Sequence, residues 1–183
     1  LSGPTVLTYL IKYLKKKKNH FSYRFLFLPE TIGAIAYINK NLKKLKKNTF
    51  CGFVVSCVGD NKNFSLIHSP EEDNIADISL KASLFKKKNK KIYSFKHRGS
   101  DERQFCSPLV NLPFAGFSRT KYGEYPEYHS SGDNLNLISD KGLKSSYEIL
   151  KTLINAFETG IYPKSKVFCE PQLSKRKLYP LVG

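Results

Sequence analysis

Four short segments combine acidic or imidazole side chains, and each follows an apolar run. Glu30 follows FSYRFLFL (21–28), inside the breaker Pro29-Glu30-Thr31-Ile32-Gly33. Asp60 follows TFCGFVVSCV (49–58), directly after Gly59. The string His97-Arg98-Gly99-Ser100-Asp101-Glu102-Arg103 follows the short run 92–95. Tyr122-Gly123-Glu124-Tyr125-Pro126-Glu127-Tyr128-His129 follows the run 112–118. Carboxylates and a histidine spread over separate strand ends suit a metal hydrolase. Each hard ligand is pinned by a different strand, a position stays open for water, and a remaining carboxylate can take the proton from that water. Each segment also has a plainer reading. Glu30 could be a first-turn residue stabilised by a helix dipole. Gly59-Asp60 could be a turn. His129 could be a surface imidazole among tyrosines. The Ser100–Arg103 string could be a solvated loop, with Arg98 and Arg103 paired to Asp101 and Glu102. It is their shared edge that favours chemistry. His20 and His68 fall in polar connections away from that edge and are expected to be solvent-exposed.

The elements that must position these residues follow from periodicity. Val6, Leu7, Leu10, Ile11 and Leu14 have helical spacing over 4–14, with Ser2 as a candidate cap. Residues 21–28 and 49–58 read as buried strands. Helices are expected over 32–45 and 75–85, short strands over 92–95 and 112–118, and a last helix over 143–157 stopped by Gly160. The order α-β-α-β-α-β-β-α, with near-continuous apolar strands, predicts a three-layer α/β/α fold with a mostly parallel sheet. In such folds the site lies at the carboxyl ends of the strands.

Composition bounds the partners. The chain has 183 residues, 40% of them hydrophobic, with 13 Phe and 11 Tyr, which excludes disorder throughout. The apolar runs are too short for a membrane span. The start, Leu1-Ser2-Gly3-Pro4, carries neither Met nor a signal-peptide pattern and reads as the interior of a longer protein. Residues 1–160 are expected to form one domain and 161–183 a tail. The net charge of +16 comes from 31 Lys+Arg against 15 Asp+Glu, but only five of the cations are Arg, the bidentate phosphate reader. The first three Lys tracts follow expected helices, whereas 97–133 carries four Lys+Arg against five Asp+Glu. The site edge is therefore not basic, and no specific nucleic-acid partner is expected. The four Cys form no disulfide framework or zinc motif. Buried free thiols in a reducing cytoplasm are the expected state.

Several strings resemble a known family: LSGP opening a helix, RFLFLPETIGAIAYI, SCVGD, FKHRGSDERQFCSP and RTKYGEYPEYHSSGDNL. They are similar to the zinc aminopeptidase-like MH clan, and within it to a bacterial aminopeptidase-like branch associated with polysaccharide biosynthesis. Cys169-Glu170-Pro171-Gln172-Leu173 and Leu178-Tyr179-Pro180 resemble the same branch. The resemblance implies a phosphorylase/hydrolase-like fold (the zinc exopeptidase fold) and two adjacent zinc ions in the complete protein. It also implies a metal-bound water that attacks a peptide or amide bond of a small substrate. It carries the general base onto Glu30 and metal ligation onto Asp60 and His129. Ser100, Asp101, Arg103, Tyr125 and Tyr128 fall at the substrate pocket. Thr31 stands where the clan has a second acidic ligand. The clan's first His ligand and its bridging acid would precede Leu1, and the branch's winged-helix-like segment would follow the tail. The chain alone is therefore expected to bind zinc weakly or not at all. An amidohydrolase acting on an acylated amino sugar, or a metal-free binding protein that keeps the fold, are the alternatives.

Overall fold

The structure, a computed structural model, describes residues 1–160, 164–169 and 171–179. Helix α1 (Ser2–Leu14) buries Gly3, Val6, Leu10 and Leu14 along one stripe, as the spacing requires. Its cap is Leu1 rather than Ser2. The Ser2 hydroxyl instead accepts the Val58 N–H at 3.0 Å, which ties the helix start to the turn bearing Asp60. Helix α2 (Ile32–Asn48) buries Ala34, Ile38 and Leu45 and ends on Lys46 and Lys47, where the dipole favours cations. Strand β1 (Gly52–Val55) follows, then β2 (Phe64–Ile67). Helix α3 (Ile75–Ser83) is capped by the Asn74 side chain, which accepts from the Ala76 and Asp77 N–H groups. Strand β3 (Lys90–Tyr93), the short α4 (Glu102–Phe105) and β4 (Phe114–Ser118) lead to α5 (Asp140–Thr159). Ser139 caps α5, and Gly160 ends it with a φ of 94° that suits glycine.

The sheet has the order β1-β4-β2-β3. β1 runs parallel to β4, and β2 runs parallel to β3, but β2 and β4 are antiparallel. One apolar cluster joins α1, α3 and α5 to one face of the sheet, through Leu10, Leu80, Phe117 and Leu153. A second joins α2 and α4 to the other face, through Ala34, Ile38, Phe105 and Leu112. This is the three-layer α/β/α fold that the element order implied.

The details differ from expectation in three ways. Residues 21–28, expected as a strand, form none and belong to no sheet. Strand β2 lies inside what reads as a polar loop. The antiparallel β2–β4 pairing means that β3 points away from the edge where β1 and β4 end. The 94–101 connection therefore has to climb back across the sheet to bring Asp101 to that edge.

Candidate functional site

Glu30 is exposed in the turn that opens α2. The next residue, Thr31, has φ 64° and ψ −68°, and the Ile32 N–H donates to the Glu30 carbonyl at 2.8 Å. This is a γ-turn of the strained, positive-φ kind, and a β-branched residue is a genuine outlier there. Two side chains hold it. The Asp101 carboxylate accepts the Thr31 N–H at 2.8 Å, and the Arg103 guanidinium donates to the Thr31 hydroxyl at 3.0 Å. Burial pushes the Asp101 carboxyl above its ordinary range. The nearby Glu30 and Glu102 push the same way, against the Thr31 N–H and Arg103.

The loop that supplies Asp101 is not stitched by internal ion pairs. Among the described residues, Arg98 and Arg103 make no salt bridge. Arg98 lies over the Phe95 ring instead. The organiser is Glu102, which is 1% exposed. Its Oε1 accepts the N–H groups of Gly99 (2.9 Å) and Ser100 (3.0 Å) and the Tyr122 hydroxyl. Ser100 is buried beside it.

Asp60 is buried, and its carboxylate is well supplied with donors. Oδ1 accepts the Lys62 N–H and the Thr120 hydroxyl, and Oδ2 accepts the Thr120 N–H, all at 2.8 Å. It thereby clamps the segment after β1 to the segment after β4. The Gly59-Asp60 turn also rests on the start of α5. The Ser139 N–H donates to the Gly59 carbonyl (3.0 Å), and the Ser146 hydroxyl to the Val58 carbonyl (2.9 Å).

A pocket of about 520 Å³ opens over this turn, with Cys57, Asp60, Thr120, Tyr125 and Asp133 among its walls. The buried Tyr125 hydroxyl donates to the Cys57 sulfur at 3.3 Å. Burial drives its phenol well above the ordinary value, and the Cys57 contact adds to that. Tyr128 packs edge-on against Tyr125 and face-on against His129. Burial raises its phenol too, with Cys57, Glu30 and Asp133 close enough to add to the shift. His129 is exposed, with φ 58°.

Glu30, Ser100 and Asp101 line one cavity and Asp60 and Tyr125 another, and together they do not form a metal cage. Among the described residues, no group of three or more His, Cys, Asp or Glu is placed to hold a metal ion. Asp60 has most of its acceptor capacity committed, and Glu30 and His129 face solvent. The donor set among the described residues does not fit a zinc centre.

Some features escaped the sequence. Cys57, Thr120 and Asp133 join the pocket, and Glu102 supports the Asp101 loop; all four lay within strings already quoted, but none had been given a role at the site. His68 is 5% exposed rather than on the surface. Its Nδ1 lies 2.9 Å from Asp77 Oδ1, and Ser69 completes a buried network that locks α3 to the end of β2. His20 is exposed, as expected. Cys106 is buried, Cys51 and Cys57 are half-buried, and Cys169 is exposed rather than buried; all four are free. In the tail strings, Glu170 and Pro180 lie outside the described residues. Among the described residues, no helix is long and apolar enough to cross a membrane.

Residues 1–160 match the family model described as a domain of unknown function, DUF4910. The chain belongs to that family. A Clostridium acetobutylicum protein, named for polysaccharide biosynthesis and an aminopeptidase-like domain, is 40% identical over 186 residues. That match covers 100% of this DUF4910 chain and 42% of the relative, so the chain spans less than half of the relative's length. The crystal structure of a C. acetobutylicum protein named as a peptidase superposes with a TM-score of 0.85 at 37% identity, over 96% of this chain and 42% of that one. A zinc aminopeptidase from Bacillus subtilis superposes at 0.72 with 18% identity, over 89% and 42% of the two chains, a likeness of fold.

Proposed function

We propose that this DUF4910 chain is part of an aminopeptidase-like hydrolase that cleaves a peptide or amide bond of a small substrate. The observation that carries the reading is the Glu30-Thr31-Ile32 turn. Strain of about 1–3 kcal/mol persists only where the surroundings over-determine it, and such strain clusters at functional sites. Here the Asp101 carboxylate and Arg103 hold it, and it presents Glu30 to solvent at the sheet edge. In this reading Glu30 is the base that takes a proton from the attacking water. Ser100 and Asp101 border the substrate, with Arg103 beside them, and Tyr125 and Tyr128 form the aromatic wall. Asp60 and His129 are the metal-binding candidates. Zinc chemistry would need ligands beyond the described residues, because that set does not close around an ion.

The relative's name, which joins polysaccharide biosynthesis to an aminopeptidase-like domain, favours a second reading, deacylation of an acylated amino sugar. Thr31 at the clan's ligand position favours a third, a metal-free binding protein. The test uses a chimera in which these 183 residues replace the matching part of the C. acetobutylicum relative. It is assayed against aminoacyl p-nitroanilides and N-acylated amino sugars. Anilide hydrolysis is expected. Turnover of the sugars alone would select the second reading, and turnover of neither the third.

A further inference from the structure

A groove of about 1290 Å³ separates residues 22–28 from β1. Among the described residues, no backbone N–H or C=O of 22–28 makes a hydrogen bond. The segment nevertheless alternates like a strand. Phe21, Tyr23 and Phe25 pack toward the α1/α5 cluster, and Leu26 toward the α2 cluster. β1 alternates the same way, with Phe53 and Val55 toward the first cluster and Val54 toward the second. Among the described residues, β1 is also the edge of the sheet, paired only with β4. The N–H groups of Gly52 and Ser56 donate to β4 and the residue before it. By the alternation of a parallel ladder, the N–H groups of Phe53 and Val55 turn the other way, to the groove.

Helices already roof and floor this gap. Leu45 of α2 lines one side, and Leu7, Leu10, Leu153 and Ile154 of α1 and α5 line the other. At one end Phe21 stacks on Phe50, with ring centroids 5.2 Å apart. At the other stand Glu30, Ser56 and Asp101. The segment 22–28, α2 and β1 thus read as a βαβ crossover that skips one position of the sheet. A strand fills about 4.8 Å by about 10 Å by about 3.3 Å per residue, or about 160 Å³. The groove therefore takes about eight residues of a single strand.

We infer that the groove receives one apolar, parallel β-strand from polypeptide outside these 183 residues, within the larger share of the relative that this chain does not span. The strand hydrogen-bonds to 22–28 on one side and to Phe53 and Val55 on the other. It makes 22–28 part of the sheet. Buried under helices on both faces, it has to be apolar at successive positions. Its carboxyl end emerges between Glu30 and Ser56, so its last residues join the candidate site. The inference rests on backbone pairing and stands apart from the proposed hydrolase activity.

Amide hydrogen exchange, read residue by residue, tests it in the 183-residue chain and in the chimera. In the chain, the amides of 22–28 and Phe53 should exchange about a hundredfold faster than that of Val54. In the chimera, Phe53, Val55 and alternate residues of 22–28 should slow by about a hundredfold. If the chimera does not fold, the C. acetobutylicum relative gives the same reading at the aligned positions. Three results would overturn the inference. One is full protection of 22–28 in the dilute chain, which means the groove closes on itself. Another is protection that rises with chain concentration, which means a second copy fills it. The last is unchanged exchange at these amides in the longer protein while Leu66 and Phe117 stay protected. Loss of anilide turnover alone would bear on the proposed function and not on the strand.

Discussion

Gly142 sits in the first turn of α5, against the turn that carries Asp60. A Cβ there would lie 2.0 Å from the Gly59 carbonyl oxygen and 2.4 Å from that of Asp60. Carbon and oxygen settle no closer than about 3.3 Å, so Gly142→Ala forces helix and turn apart by about 1 Å. In an ordinary helix position the change would stabilise by up to about 1 kcal/mol. Here overpacking costs about 1–3 kcal/mol. The displacement also breaks the Ser139 N–H bond to Gly59 and the Ser146 hydroxyl bond to Val58, each about 1 kcal/mol. The net expectation is a loss of about 2–4 kcal/mol, or about 5–15 °C in melting temperature for a domain of this size. Thermal and urea melts followed by circular dichroism would measure it. Lys141→Ala, at the exposed neighbouring position, should stay within about 0.5 kcal/mol of the parent. A Gly142→Ala chain as stable as the parent would refute the packing of α5 against the Asp60 turn.

Other outcomes follow from particular side chains. Burial alone would raise the Glu158 carboxyl, but the Tyr23 hydroxyl and the N–H groups of His20 and Phe21 outweigh it and hold the group below its ordinary value. A carboxyl depressed in this way stabilises the fold above its unfolded value of about 4.5, and the contribution fades as pH falls through the lower folded value. Glu158→Gln should therefore lower the melting temperature at pH 7, with a difference that shrinks below about pH 4; a constant difference would count against it. Burial raises the Cys57 thiol and pushes those of Cys51 and Cys106 up to about 12. A thiol-reagent time course at pH 7.5 should show Cys169 reacting first, the half-buried Cys51 and Cys57 more slowly, and Cys106 only on unfolding; a fast Cys106 would contradict its burial. Calorimetric titration of the 183-residue chain with zinc should find no stoichiometric sub-micromolar site, and such a site would overturn the incompleteness of the donor set.

Helices were legible because their stripes are long and their ends marked: α5 runs from the Ser139 cap to Gly160, close to the span its apolar spacing gave. β2 was not legible, because four residues, Phe64 to Ile67, stand between polar stretches with no period to read. Missing it hid the sheet polarity. The connection 56–63 is too short for the dozen or so residues of a parallel crossover, so β2 has to run against β1 and β4. The segment 21–28 shows the converse. Its strand pattern is real and its side chains alternate between two cores, but a strand also needs a ladder partner, and none lies beside it among the described residues. At the site, the types and spacing of Glu30, Asp60 and Asp101 pointed to one edge. The Thr31 γ-turn and the Thr120 clamp on Asp60 depend on tertiary contacts 60 or more residues away along the chain, which no local pattern carries.

The most direct test of hydrolysis based on Glu30 is steady-state turnover of leucine p-nitroanilide by the chimera and its Glu30→Gln form. A lost general base should lower kcat by about a hundredfold or more, with KM and melting temperature little changed. Equal turnover by the two forms would contradict the account, as would hydrolysis of N-acylated sugars with none of the anilide.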